Sequence, residues 1–194
     1  RKLMRENDMD SWVCISFERN PCYFDGENLM GDSNTVITLD DESADKAVGM
    51  YSCHFLPVHV NGKPECVGYI GGLRVVDEYR HKIRILKNGF NSIEKLMDKK
   101  ATLPFWFTSL ASENYKARRV LEAGLNGMPI YRPVGELQTL AFSSDQGKSM
   151  ELLQPAISDD IPALVEFYNK QSKIMTNIKI LYLTKTIHRQ VMFL

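Results

Sequence analysis

Arg80, Lys82 and Arg84 stand at alternate positions, directly after a β-rich run that ends in Leu73-Arg74-Val75-Val76 and at the start of a helical pattern that begins at Ile83. A strand that feeds a short basic loop and then a helix leaves backbone N–H groups unpaired at the positive end of the helix dipole, where a phosphate is favoured. The junction from Val75 to Ile85 is therefore expected to hold a phosphate, with the three side chains adding full charges. Charge of this kind has to be local, because 24 Lys and Arg balance 24 Asp and Glu over 194 residues. Zero net charge gives no overall field for nonspecific binding to nucleic acid or anionic lipid. Arg80 to Lys100 carries seven basic residues and Asp25 to Asp45 carries seven acidic ones with no Lys or Arg. The basic stretch has no aromatic platform beside it, which argues against a nucleic-acid partner.

Other chemistries are poorly served. Cys14, Cys22, Cys53 and Cys66 are scattered, with no CxxC pair and no His at zinc-ligand spacing. They read as reduced thiols of a cytoplasmic protein, with no metal. Arg1 to Asp10 lacks an apolar run, and no stretch approaches the roughly 18–20 apolar residues of a membrane span. The expectation is a protein neither secreted nor held in a membrane. Disorder is excluded by 44% hydrophobic and 10% aromatic residues.

The elements that must position the basic loop are legible around it. Val48 to Val60 and Val67 to Val76 are β-rich and flank Asn61-Gly62-Lys63-Pro64, so two adjacent antiparallel strands are expected, with Pro64 barring the ladder from the turn. Ile83, Leu86, Phe90, Ile93 and Met97 recur at intervals of 3, 4, 3 and 4, one apolar stripe on a helix ending near Lys99-Lys100. Gly89 weakens that helix without forbidding it. Leu103 to Leu110 reads as a buried strand, and Ser112-Glu113-Asn114 can cap a helix carrying Ala117, Val120 and Leu121. Tyr131 to Pro133 and Gln138 to Phe142 are short strand candidates that would close the sheet. Ser143 to Ser149 is polar and linker-like, which divides the chain into a domain over 1–146, a linker over 147–150 and a segment over 151–194. In that segment Ser158-Asp159-Asp160 would cap a helix with Pro162 in its first turn. Its apolar residues should be docked on the first domain, paired with a second copy in a homodimer, or form the start of a second domain.

On these residues the chain resembles the GNAT superfamily of acyl-CoA-dependent N-acetyltransferases, over roughly Leu3 to Phe142. The family's central motif is an apolar strand, a turn, then Arg or Gln followed by x-x-Gly-x-Gly/Ala opening a helix. Leu73-Arg74-Val75-Val76-Asp77-Glu78-Tyr79-Arg80-His81-Lys82-Ile83-Arg84-Ile85 looks like it, with Ile83 and Ile85 where glycines are usual. A second match is Asn114-Tyr115-Lys116-Ala117, like the family's Asn-x-x-Ala after a strand. The Glu151 to Tyr168 segment resembles the first strand and helix of such a domain, which would make the chain a tandem member cut short.

The resemblance implies an α/β (α+β) fold with a mixed, mainly antiparallel sheet flanked by helices, and acetyl transfer from acetyl-CoA to a primary amine. It implies that Leu73, Arg74 and Val75 pair through their main chain with the pantetheine arm. The loop of Arg80, His81, Lys82, Ile83, Arg84 and Ile85 would hold the pyrophosphate, and Asn114 and Ala117 would lie beside the arm. Some members carry a general-base Glu eleven residues before the loop Arg, where this chain has Tyr69; His54 and Glu65 are the other candidates. Many carry a Tyr four residues after the Ala to protonate the thiolate. Here that position is Leu121, leaving Tyr115, Tyr131 or a water for the role. These departures keep a second reading in view, a CoA-binding or protein-interaction module of the same fold without turnover.

Overall fold

Asn61 and Gly62 both adopt positive φ, 52° and 76°, which is the two-residue turn whose twist matches the strands it joins. The computed structural model describes residues 2–7, 21–24, 33–100, 102–136, 156–175 and 190–193. Their order is α1 (Lys2–Glu6), β1 (Ser33–Asp41), β2 (Lys46–Val60), β3 (Lys63–Val75), α2 (Ile83–Lys100), β4 (Phe105–Thr108), α3 (Tyr115–Leu121), β5 (Ile130–Pro133), α4 (Ile161–Met175) and β6 (Gln190–Phe193). The fold is mixed α/β. One six-stranded sheet runs β1-β2-β3-β4-β6-β5, and helices flank it. The long pairs β1–β2 and β2–β3 are antiparallel, while β4, β5 and β6 add short parallel pairs. The expected strand at Gln138 to Phe142 and the linker at 147–150 lie outside the described residues.

The hairpin closes more tightly than the sequence suggests. Val60 pairs with Lys63 and His59 with Pro64, so Pro64 is inside β3 rather than in the turn. In a two-residue hairpin the residues flanking the turn exchange hydrogen bonds and the next pair does not, so the N–H that Pro64 lacks would have pointed away from β2. The strand predicted over Leu103 to Leu110 is regular only from Phe105 to Thr108.

Each face of the sheet has its own cover. Tyr51, Cys53, Phe55 and Ile70 project to one side with Trp106, and Phe90 and Ile93 of α2, Leu121 of α3 and Tyr131 of β5 pack on them. Trp106 is fully buried, its ring 5.3 Å from that of Phe55 in an edge contact, and Gly68 gives it room: a Cβ there would stand 2.2 Å from the indole. Helix α2 runs through Gly89, whose carbonyl accepts the Tyr51 hydroxyl at 3.0 Å. The other face carries Met50 under Met4 and Tyr23, and farther along the strands Val67 with Phe105. Strand β6 pairs with both β4 and β5. Helix α4 follows a short 3-10 turn at Ser158–Asp160, with Asp160 accepting the Ile157 amide at 2.9 Å. Its Ile161, Leu164, Val165, Phe167 and Tyr168 are exposed in this single chain.

Candidate functional site at the parting of two parallel strands

Gly71-Gly72 interrupts an otherwise β-forming run, and glycine inside a strand marks a bulge or a close approach. The register places one there. Met50 pairs with Arg74 and Ser52 with Gly71, so Gly72 and Leu73 of β3 together oppose Tyr51 of β2. Gly72 takes φ +62°, which a Cβ would strain. The strand bends at this bulge, and there it loses its second neighbour. Parallel pairing of β3 with β4 covers only Gly68, Tyr69 and Ile70, against Trp106, Phe107 and Thr108. The Thr108 hydroxyl donates to the Ile70 carbonyl at 2.8 Å, which occupies the last acceptor of the shared ladder. From Gly71 to Val75, β3 has no strand on the β4 side among the described residues.

Because β3 and β4 are parallel, the segments that leave their carboxyl ends emerge together, and in open α/β sheets that end is where ligands bind. From β3 comes the basic loop. The Val76 amide donates to the Val48 carbonyl at 2.9 Å, a 3-10 turn follows at Asp77–Tyr79, and α2 begins at Ile83. From β4 comes Ser109, then Asn114, whose side chain accepts the Ala117 amide at 3.1 Å and caps α3.

Two of the loop's cations are engaged within it. Arg80 donates through Nε to the Val75 carbonyl at 3.0 Å and pairs with Asp77 at 2.6 Å. Lys82 Nζ lies 4.2 Å from the centre of the Tyr79 ring. Tyr79 is buried, and its hydroxyl donates to Asp41 at 2.6 Å. Hydrogen bonds from Ser43 and from Tyr79 hold the Asp41 carboxyl down at about 2, from an ordinary 3.8. Lys46 pairs with Glu78 at 3.3 Å. The β1–β2 turn thus braces the loop, and Asp41 of the acidic stretch serves that brace. His81 and Arg84 are exposed. Ile83 is 38% exposed, so its side chain is not packed in the core. Ile85 turns inward, with Leu73, Val75 and Gly89, onto a small apolar groove of about 50 Å³ between α2 and the sheet.

Of the candidate catalytic residues, Tyr69 and His54 come together and Tyr131 does not join them. Tyr69 and His54 pair directly across β3 and β2, with ring centroids 6.1 Å apart. Tyr69 is half-buried, and its hydroxyl shares a hydrogen bond of 2.6 Å with Ser109, just past the carboxyl end of β4. His54 is 1% exposed, with Nε2 3.0 Å from Ser52 Oγ, and Ser52 donates onward to the Gly71 carbonyl at 3.2 Å. Since the serine's one proton goes to Gly71, the hydrogen between Ser52 and His54 belongs to Nε2. His54 therefore supports the bulge. Tyr131 lies in the core under α2, 5.8 Å from Phe90, and burial drives its hydroxyl far above the ordinary value. Burial likewise pushes Tyr51 and Cys53 up to about 12, so all three stay protonated near neutrality. Glu65 accepts from Thr102 at 2.6 Å near the hairpin, and Tyr115 is exposed at the start of α3. Arg74 is half-buried and donates to the Leu73 carbonyl at 2.8 Å. Ser52, Thr108 and Ser109 were not expected at the site. Their only signal was position, hydroxyl residues at strand centres or just past an aromatic run.

Among the described residues no group of three or more His, Cys, Asp or Glu could hold a metal ion, and no helix is long and apolar enough to cross a membrane. Cys22, Cys53 and Cys66 are free thiols.

No family model matches the chain, and no curated protein matches it. Several solved structures superpose on it loosely. An acetyltransferase of Trypanosoma brucei is 13% identical, covering 62% of this chain and 74% of its own, with a TM-score of 0.41. An aminoglycoside 6'-N-acetyltransferase of Acinetobacter baumannii is 14% identical, with 67% and 84% covered and a TM-score of 0.42. That of Acinetobacter haemolyticus is 16% identical, with 66% and 79% covered and a TM-score of 0.36. At that distance they carry no argument about activity.

Proposed function

We propose that the chain is an N-acetyltransferase that moves an acetyl group from acetyl-CoA to a primary amine. One observation carries the reading: β3 from Gly71 to Val75 has no strand on its β4 side among the described residues and leads, through the 3-10 turn at Asp77–Tyr79, to the first turn of α2. The Leu73 and Val75 carbonyls on this edge accept from the Arg74 and Arg80 side chains, and an amide-bearing arm such as pantetheine would take the place of these side chains, pairing with the edge at strand spacing. Its pyrophosphate then reaches the loop, where the amides of Ile83 and Arg84 belong to the helix start that no intrahelical acceptor serves. The pairing of side chains to roles follows the resemblance set out above, with Leu73, Arg74 and Val75 along the arm and Arg80 to Ile85 at the phosphates.

When bound, the thioester supplies an activated acetyl carbonyl. The rest falls to this chain. Bending at Gly72 sets the arm at an angle to β4, and the parting strands leave a gap at Tyr69 and Ser109 where a neutral amine can approach. Alignment of the two reactants and polarisation of the carbonyl by backbone N–H groups account for much of such a rate enhancement. Tyr69 is the one candidate catalytic side chain at the gap that is neither deep in the core nor spent on a helix cap. As the C–N bond forms and the C–S bond breaks, the amine's surplus proton passes to solvent, while the Tyr69 hydroxyl, linked to Ser109, donates a proton to the departing thiolate and recovers one from solvent through Ser109. Amine-dependent release of CoA thiol from acetyl-CoA, measured over a panel of primary amines, tests the reading. CoA binding without amine-dependent release supports the non-catalytic module instead, and absence of CoA binding removes both.

A further inference from the structure

Ser52 and His54 stand on one face of β2, and across the ladder they meet Gly71 and Tyr69 of β3. The four residues form a patch that begins at the bulge and ends at the tyrosine bonded to Ser109. A bulge disrupts the ladder locally, so its backbone groups need partners from elsewhere. Ser52 supplies one. Its hydroxyl donates to the Gly71 carbonyl at 3.2 Å, and its Oγ lies 3.5 Å from where a Cβ would stand at either Gly71 or Gly72. A hydroxyl has one proton, and a donor offered to its oxygen keeps that proton turned toward the carbonyl. His54 Nε2, 3.0 Å away, is the donor. Both side chains are buried.

We propose that Ser52 and His54 are positioning residues for acetyl transfer, with His54 acting as a hydrogen-bond donor to Ser52 and Ser52 holding the Gly71 carbonyl. This rests on the acetyltransferase reading. The relay fixes the angle at which β3 leaves β4, and with it the alignment between the arm along Gly71 to Val75 and an amine entering beside Tyr69. Misplacement of reacting groups by about 1 Å can cost on the order of a hundredfold in rate. Nε2 already carries its hydrogen, and Ser52 passes its own to a backbone carbonyl. The relay therefore ends on the main chain and delivers no proton to the gap.

Glutamine places an amide nitrogen close to where Nε2 of a histidine stands, so it can donate to Ser52 but cannot serve as an acid or base. His54→Leu and Ser52→Ala should each lower kcat for amine-dependent thiol release by about tenfold or more, with the KM for acetyl-CoA changed far less. His54→Gln and Ser52→Thr keep the donor and the hydroxyl, and should stay within about threefold of the parent. A merely structural role would lower the urea midpoint without separating these two pairs in kcat. With the chain labelled at its 12 glycines, the Gly72 amide resonance reads the bond to the Gly71 carbonyl without any turnover. It should move in His54→Leu and Ser52→Ala and return in His54→Gln and Ser52→Thr. Full kcat in Ser52→Ala overturns the proposal, as does a Gly72 resonance indifferent to that change. So does a folded His54→Gln as slow as His54→Leu, which would make the imidazole an acid or base; if His54→Gln does not fold, the serine pair decides. A parent that releases no thiol with any amine refutes the acetyltransferase reading instead, and the resonance pattern then upholds or overturns the hold on the bulge by itself.

Discussion

Gly71 and Gly72, side by side where β3 leaves β4, should respond to the same substitution in opposite ways. At Gly72 an added Cβ has space, with the Tyr23 hydroxyl at 3.4 Å and Ser52 Oγ at 3.5 Å. Its φ of +62° is the obstacle. Alanine in the left-handed region costs about 1–2 kcal/mol, and the stiffer unfolded chain offsets roughly 0.4–1 kcal/mol of that. Gly72→Ala should therefore lose about 1 kcal/mol of stability. At Gly71 the backbone is ordinary, but the Cβ would lie 2.9 Å from the edge of the Tyr69 ring. The ring must tilt, at about 0.5–1.5 kcal/mol for an off-rotamer side chain. The tilt carries the Tyr69 hydroxyl off Ser109, now 2.6 Å away. Gly71→Ala should thus fall in amine-dependent turnover by about tenfold or more, the scale of a misplaced proton donor, while CoA affinity holds. Urea unfolding and steady-state thiol release on both variants give the comparison. If Gly71→Ala keeps full turnover, Tyr69 has no role at the gap; if Gly72→Ala is as stable as the parent, the bulge is not held by a left-handed glycine.

Gly68→Ala should destabilise by about 1–3 kcal/mol through overpacking, because its Cβ meets the Trp106 indole at 2.2 Å; pairing it with Trp106→Leu should recover part of the loss in a double-mutant cycle. Lys82→Glu with Arg84→Glu should weaken CoA binding in calorimetry by an amount that shrinks with added salt, and unchanged affinity would take the phosphate away from this loop. Asp41→Asn should lower stability near neutral pH. The folded carboxyl sits at about 2 against 3.8, so its stabilisation is present above the unfolded value and lost as pH falls through the folded one. The gap in urea midpoint between parent and variant should therefore close between pH 3.8 and about 2, and a gap that persists below that would separate Asp41 from the brace.

The hairpin, the helix from Ile83 and the cap at Asn114 could be read from the sequence because each depends on neighbours in the chain: an Asn-Gly turn, a stripe at helical spacing, an Asn three residues before an amide. The pairing of Pro64 is not legible in the sequence because its tolerance depends on which side of the strand its missing N–H would face, a property of the register across the turn. The bulge at Gly72-Leu73 was not visible for the same reason, since it exists only relative to Tyr51 on the other strand. Tyr69 and Tyr131 look alike as residues. The fold puts one beside Ser109, just past the carboxyl end of β4, and the other under α2 against Phe90, a difference made entirely by which face of which strand each occupies. The stripe on α4 was legible and its burial was not, because amphipathic spacing says that a face seeks a partner without saying where.

The loop's charge changes meaning once its contacts are known. In the sequence, Arg80, Lys82 and Arg84 look like three cations awaiting a phosphate. In the fold, Asp77 holds Arg80, Glu78 holds Lys46, and Asp41 holds the Tyr79 ring over which Lys82 lies. Four cations thus face three carboxylates, all of them at or near the surface and screened by water and salt, so the loop as a whole is only slightly positive. Attraction for an anion then comes in large part from the directed amides at the start of α2 and the helix dipole behind them, which do not depend on net charge. The cost of misaligning those amides exceeds the cost of losing one surface charge, because hydrogen bonds to a charged group depend on angle as well as distance. That ordering explains the brace: Tyr79 buried between Asp41 and Lys82, and Arg80 turned back onto the Val75 carbonyl, fix the path of the chain between the last residue of β3 and the first turn of α2. Most of the basic residues at this junction hold the loop's own path, and under the proposed function Arg84, at the surface, is the one that would reach a phosphate.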